Sequence, residues 1–148
     1  NHEQRIIVYP KIKNYFKGDL KGKKIAIWGL SFKPDTDDVR EAPALYLIEK
    51  LIQDGAKVIA HDPEAIDNVK KLDIGKEVSF SKNEYDAVEG VDALVICTEW
   101  SLYRNPDFEK LKQIMNDAVI FDGRNLFDVE DMNDKGFYYS SIGRKIIV

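Results

Sequence analysis

Between Gly29 and Pro43 the chain sets two fixed cations, Lys33 and Arg40, among four carboxylates, Asp35, Asp37, Asp38 and Glu41. An anionic ligand is drawn to the cations and repelled by the acids, so a site built here is asymmetric. The reading that reconciles them has Lys33 reaching the ligand directly, some carboxylates capping or flanking a following helix, and Arg40 offering a planar fork. A second basic turn, Asp122-Gly123-Arg124-Asn125, follows an apolar run, and its arginine could grip a phosphate or carbonyl through two parallel hydrogen bonds. An isolated arginine more often forms a weak surface ion pair. Arg124 stands above that alternative because its turn, the Lys33 loop and the Thr98-Glu99-Trp100 turn each follow an apolar strand. Trp100 either lines the same crevice or closes the core.

Other reactive types carry less. Cys97 is the single cysteine and ends an apolar strand, where a thiol behaves as a small hydrophobe rather than a nucleophile. His2 and His61 are far apart and neither has a cysteine beside it, so no metal motif is present and no metal is expected. No residue is assigned a catalytic role.

The elements that must position these residues alternate. Lys24 to Gly29 is an apolar, β-branched run that reads as a buried strand. Ala44, Leu47, Ile48 and Leu51 follow the i, i+3, i+4, i+7 pattern of a helix, with Pro43 suited to its first turn and Gly55 to the position past its end. Val58 to Asp62 is a second strand stopped by Pro63. Beyond it the spacing predicts a helix around 64–72, a weak strand at 78–80, a helix at 83–88, a central strand at 93–97, a helix at 108–115, a strand at 118–121, a short helix at 129–134 and a final segment at 137–139. Repeated alternation of this kind implies an α/β, Rossmann-like, doubly wound and mostly parallel sheet with helices on both faces. The dinucleotide fingerprint is missing, because its three glycines have distinct steric jobs and this loop supplies only Gly29, with Phe32-Lys33-Pro34 where backbone should approach a pyrophosphate. Asp62 could hold a ribose or simply form an Asp-Pro turn.

Composition narrows the class further. A chain of 148 residues is the size of one domain, and 44% hydrophobic with 32% charged residues is ordinary for a globular protein. A formal net charge of -4 without a Lys/Arg block gives no footprint for nucleic acid or anionic lipid. No apolar run is long enough to span a bilayer, the start lacks a signal-peptide core, and one cysteine fits a reducing compartment, so a cytoplasmic setting is expected. The chain begins at Asn1, and a glycine-punctuated linker, Lys17 to Gly22, precedes the first strand, which suggests a piece of something longer.

The stretch Gly29 to Pro43, then His61-Asp62-Pro63, Thr98-Glu99-Trp100, Phe121-Asp122-Gly123-Arg124-Asn125 and Ile142-Gly143-Arg144, resembles in identity and order the UDP-glucose 6-dehydrogenases of the nucleotide-sugar dehydrogenase family. The Phe-Lys-Pro loop is general to that family. The Thr-Glu-Trp turn with Tyr103-Arg104 and the Asp-Gly-Arg-Asn turn are more similar to the UDP-glucose branch than to the GDP-mannose branch. The resemblance covers only the family's C-terminal domain. It implies that residues 1–20 are the end of an interdomain helical segment and a linker, and that 21–148 bind the UDP-sugar. It also implies an NAD-dependent enzyme that oxidises UDP-glucose twice at C6 to UDP-glucuronate through a cysteine-bound intermediate. By the resemblance, Phe32, Lys33 and Arg124 contact UDP-glucose or UDP and Arg40 reaches the NAD, which is held mainly by a missing N-terminal domain. The full-length protein would be a homodimer or higher homo-oligomer, and this chain alone would be catalytically incomplete. Trp28, where an aliphatic residue is expected, departs from the pattern and puts local packing in question. The alternatives are the same domain of a UDP-N-acetylhexosamine or GDP-mannose dehydrogenase, or a non-enzymatic nucleotide-binding or oligomerisation module.

Overall fold

Strand β1 (Lys24–Trp28) is flanked on both sides by parallel partners, β2 (Lys57–His61) and β4 (Ala93–Ile96), in the computed structural model, which describes residues 7–147. With β3 (Ser79–Phe80), β5 (Val119–Asp122) and β6 (Tyr138–Ser141), the sheet runs β3-β2-β1-β4-β5-β6, and every adjacent pair is parallel. That order reverses direction between β1 and β4, where loops leaving the carboxyl ends part and open a crevice.

Both faces of the sheet are covered, which is why its central strands β1 and β4 read as nearly unbroken apolar runs. Successive side chains still alternate. Ile25 and Ile27 of β1, with Ala93 and Val95 of β4, join a core shared with α1 (Val8–Tyr15), α2 (Pro43–Gln53) and α3 (Ile66–Lys70). Ala26, Trp28, Leu94 and Ile96 point the other way, into a second core with α4 (Glu84–Val88), α5 (Phe108–Ile114) and α6 (Val129–Asp134). Helix α2 buries Ala44, Leu47, Ile48 and Leu51, the stripe its spacing predicts. It ends as expected at Gly55, whose φ of +90° lets the Gly55 N–H return to the Ile52 carbonyl and the Ala56 N–H to that of Leu51. Val8 and Ile12 of α1 are buried in the first core, so the segment before the linker packs on the sheet. His2 lies outside the described residues.

Boundaries differ where polar residues enter the interior. The strand expected at 118–121 includes Asp122, and the segment expected at 137–139 is a strand running to Ser141, with Ser140 and Ser141 buried. The helix expected at 64–72 is reduced to α3, because the chain first folds a turn around the Asp62 carboxylate and afterwards makes a 3-10 turn over Asp73–Glu77. Trp28 is fully buried, donates Nε1–H to the Glu84 carbonyl at 2.9 Å and stacks on Tyr103 with ring centroids 4.9 Å apart. The aromatic residue is therefore accommodated as a packing element.

Candidate functional site

The crevice is closed at its base by a contact that only glycine permits. Gly29 adopts φ +100°, and a Cβ there would lie 2.5 Å from Cβ and Oγ1 of Thr98. With no side chain in the way, Thr98 Oγ1 donates to the Ser31 carbonyl at 2.7 Å and ties the loop after β1 to the turn after β4.

Asp62 holds the rest of that loop. Its Oδ2 accepts from the Leu30 N–H at 2.7 Å and the Ser31 N–H at 3.3 Å, while Oδ1 accepts from the N–H groups of Glu64 and Ala65, each at 2.8 Å. Both carboxylate oxygens are thus committed to backbone amides inside the protein, and the residue is buried. This overturns the ribose reading: Asp62 folds the loop root. Ser31 Oγ adds a bond to the Lys33 carbonyl at 2.9 Å and shapes the backbone just before the exposed part.

Beyond that root, Phe32 is 49% exposed, a large apolar ring left facing water. Phe32, Lys33, Thr36, Asp38, Arg40 and Glu41 line one hollow of about 210 Å³. Lys33 is exposed and makes no ion pair among the described residues. Arg40 shares the hollow, yet its fork is occupied: Nε and Nη2 reach the two oxygens of Asp38 at 3.0 and 2.9 Å. That hydrogen-bonded guanidinium holds the Asp38 carboxyl down at about 2. Of the two roles expected for the loop carboxylates, flanking α2 or capping it, the structure shows flanking without a side-chain cap. The N-cap is Ala42, with no side-chain cap; Asp38 holds Arg40, and Glu41 accepts from Tyr46 Oη at 3.0 Å. Asp35 and Glu41, with φ of +65° and +57°, hold backbone that such residues seldom adopt, as loops at functional sites often do.

Arg124 lies two strands further along, in the turn after β5. Asp122, fully buried, accepts from the Arg124 N–H at 2.9 Å and the Leu126 N–H at 2.7 Å, which closes the turn. The arginine side chain meets Glu99: Nε reaches Oε2 at 3.2 Å and Nη2 reaches Oε1 and Oε2 at 2.9 and 2.7 Å. This pair keeps 32% and 28% of its side-chain surfaces in water. One edge of the guanidinium is therefore engaged, and Nη1 has no hydrogen-bond partner among the described residues. Arg124 lines a second small hollow with Pro43, Ile96, Cys97 and Gly123. Structure and sequence agree that both cations follow strand ends of one edge, but they sit in separate hollows.

Cys97 is half-buried beside Arg124, and burial pushes its thiol up to about 12 despite that cation. Such a thiol is protonated at neutral pH and a poor nucleophile. Trp100 is buried and borders a hollow with Asp35, Thr36, Asp37 and Glu64, so both roles considered for it are partly realised. His61 is a core residue: Nδ1 lies 2.8 Å from Tyr103 Oη, and burial lowers its pKa, with Glu84 and Asp62 opposing. Among the described residues no group of three or more His, Cys, Asp or Glu could hold a metal ion, and no helix is long and apolar enough to cross a membrane.

A family model for the UDP-binding domain of the UDP-glucose/GDP-mannose dehydrogenase family matches residues 26–129. The chain belongs to that family. Its relatives include the UDP-glucose 6-dehydrogenase of Pseudomonas aeruginosa, 41% identical over 148 residues that cover 97% of this chain and 33% of that protein. Among solved structures, an NDP-N-acetyl-D-galactosaminuronic acid dehydrogenase from Methanosarcina mazei is similar with a TM-score of 0.79 at 28% identity, covering 97% of this chain and 29% of that one. A UDP-glucose dehydrogenase from Pyrobaculum islandicum gives 0.74 at 27% identity, covering 93% and 29%. This family member spans about one third of the length of the curated relatives it matches. The loop after β1 does not carry the dinucleotide fingerprint. The loop after β1 has a bulky Phe32-Lys33-Pro34 in place of glycines, α2 starts only at Pro43, and the Asp62 carboxylate is taken up by amides.

Sequence reasoning missed Glu99 and Asp122. Glu99 was visible only as part of a turn, and nothing in its spacing revealed that it meets Arg124, 25 residues away. Asp122 had a readable signal, an acidic residue directly ending an apolar run, the same signal that drew attention to Asp62.

Proposed function

We propose that this chain is the nucleotide-holding part of an NAD-dependent UDP-glucose 6-dehydrogenase, with Lys33 and Arg124 binding the diphosphate of UDP-glucose and Phe32 packing against the ligand. The observation that carries this is Lys33, an exposed ammonium without an ion pair among the described residues, on a loop whose root is fixed by Asp62 and Thr98. A cation left without a carboxylate partner at the open end of such a loop is available to a multiply charged anion, and Arg124, in the turn after β5, adds an Nη1 that has no hydrogen-bond partner among the described residues. The hydride acceptor and the reactive thiol belong to the part of the enzyme that this chain does not span, so the chain alone holds the nucleotide without oxidising it. Arg40 is assigned to the NAD side; reaching a cofactor requires it to leave Asp38, and its side chain, 87% exposed, is free to swing. The whole enzyme is read as a cytoplasmic homo-oligomer. The higher TM-score of the N-acetylgalactosaminuronate enzyme supports a second reading in which the sugar is an N-acetylhexosamine, whereas 41% identity to UDP-glucose 6-dehydrogenases favours glucose.

Titration calorimetry of the chain with UDP tests this. The wild type is expected to bind, and Lys33→Ala and Arg124→Ala each to weaken binding roughly tenfold, the usual weight of one charge-assisted hydrogen bond. Added salt weakens binding further, because the contacts are ionic and open to water. Absence of wild-type binding, or equal affinity in all three proteins, overturns the assignment.

A further inference from the structure

The turn that carries Arg124 is held from a place far along the chain. Asp122 is a fully buried carboxylate with no ion pair among the described residues, a situation that costs stability unless its oxygens are well bonded. Two of its bonds come from the turn itself, at Arg124 and Leu126. The third comes from Tyr139, whose hydroxyl donates to Asp122 Oδ2 at 2.6 Å. The Phe127 carbonyl also lies within 3.2 Å of that hydroxyl, but one O–H has one proton and the shorter, charged acceptor takes it. The hydroxyl oxygen in turn accepts from Arg144 Nη2 at 3.0 Å. Arg144 is itself fixed, with Nε on Ser141 Oγ at 2.9 Å and its guanidinium carbon 5.7 Å from the Tyr139 ring centroid. A cation thus reaches Asp122 through a tyrosine.

The segment after β6 grips the same turn a second time. Asn125 Nδ2 donates to the Ile142 carbonyl at 2.9 Å, and the Ile142 N–H returns to Asn125 Oδ1 at 2.8 Å. Asn125 holds φ +56°, a conformation asparagine tolerates better than most residues. Backbone on both sides of Arg124 is therefore clamped to residues 139–144.

We propose that Arg144 is a positioning residue for nucleotide binding, acting through Tyr139 and Asp122 to fix the turn from which Arg124 reaches the diphosphate. The inference rests on the reading of Arg124 given above. The cation polarises the Tyr139 hydroxyl, which strengthens its bond to Asp122. Without it the carboxylate is less well compensated, the turn loosens, and Arg124 must be ordered by the ligand at a cost in affinity.

Arg144→Met, Arg144→Lys and Tyr139→Phe in this chain test the relay by two readouts. In the absence of ligand, amide hydrogen exchange at Arg124 and Leu126 is expected to rise several-fold in the Met and Phe variants, while Leu30 and Ser31 stay unchanged. With UDP, the dissociation constant is expected to rise about fivefold for Arg144→Met, less than for direct loss of Arg124, and to recover in part for Arg144→Lys. A lysine variant no better than methionine means that the stem, not the charge, acts, and overturns the relay. Unchanged exchange at Arg124 and Leu126, or exchange raised equally over the whole sheet, overturns it too. Failure of wild type to bind UDP would instead remove the nucleotide reading, and the exchange data would still decide whether Arg144 fixes the turn. Should Tyr139→Phe not fold, the two Arg144 variants decide alone.

Discussion

The loop after β1 and the turn after β5 are organised by the same device, a buried aspartate just past or at a strand end, yet they behave as opposites. Asp62 gathers amides from two separate segments, Leu30 and Ser31 on one side and Glu64 and Ala65 on the other. It fixes only the root of its loop and leaves Phe32, Lys33 and Arg40 exposed beyond it. Asp122 instead closes the turn that bears Arg124 and is backed by Tyr139, so almost no free chain separates anchor from cation. One cation makes no ion pair among the described residues and sits on a long arm, and the other is paired with Glu99 on a short one. A ligand can draw the first arm in after contact, whereas the second must already be in place.

The largest expected effect separates the two anchors. Asp62→Ala strands several buried N–H groups at the centre of the sheet edge and is expected to cost on the order of 3 to 5 kcal/mol, against about 2 kcal/mol for Asp122→Ala, whose turn amides are nearer water. Urea unfolding of both variants checks this, and an equal or reversed order would break the comparison. Next comes Gly29→Ala. Its Cβ would overlap Thr98 at 2.5 Å in a backbone conformation unfavourable to alanine, with an expected loss of roughly 3 kcal/mol by the same measurement. A Gly29→Ala, Thr98→Gly double variant removes the Cβ and Oγ1 that the new methyl meets, yet is expected to recover only part of the loss, because the backbone N–H at position 98 and the unfavourable backbone conformation remain.

The smallest effect is one of pH and sits beside Asp62. Burial lowers the pKa of His61 in the folded chain, while in the unfolded chain the imidazole titrates near the ordinary 6.5. Below that value the unfolded chain binds the proton first, so stability is full above about pH 6.5 and falls as pH drops toward the folded pKa. Unfolding midpoints measured across this window should slope for wild type and flatten for His61→Gln; a slope unchanged by the substitution would assign the effect elsewhere.

Much of this fold was legible because apolar strands and the α2 stripe are local patterns. The run 93–97 and the positions 44, 47, 48 and 51 needed no partner to be read. The cations were legible as types at strand ends. What joins them was not. Asp62 meets amides more than 30 residues away, Glu99 meets Arg124 across 25, and Arg144 works through a tyrosine that itself reaches back 17 residues to Asp122. Such partners are chosen by the sheet order, which brings together residues whose spacing has no period. The polar end of β6 was hidden for a related reason, since Ser140 and Ser141 are buried without any apolar signal.

Among the described residues helix α1 comes first, yet it rests on one of the last strands. Tyr15 meets the rings of Phe121 and Tyr138 at centroid distances of 5.9 and 4.5 Å, and Val8 and Ile12 share a core with Phe121. The floor under this helix therefore comes from residues more than a hundred positions later in the chain. Until β5 and β6 join the sheet, Val8, Ile12 and Tyr15 lack a large part of their native seat, so α1 completes its docking late, and a chain stopped before β5 leaves the apolar stripe of this helix exposed.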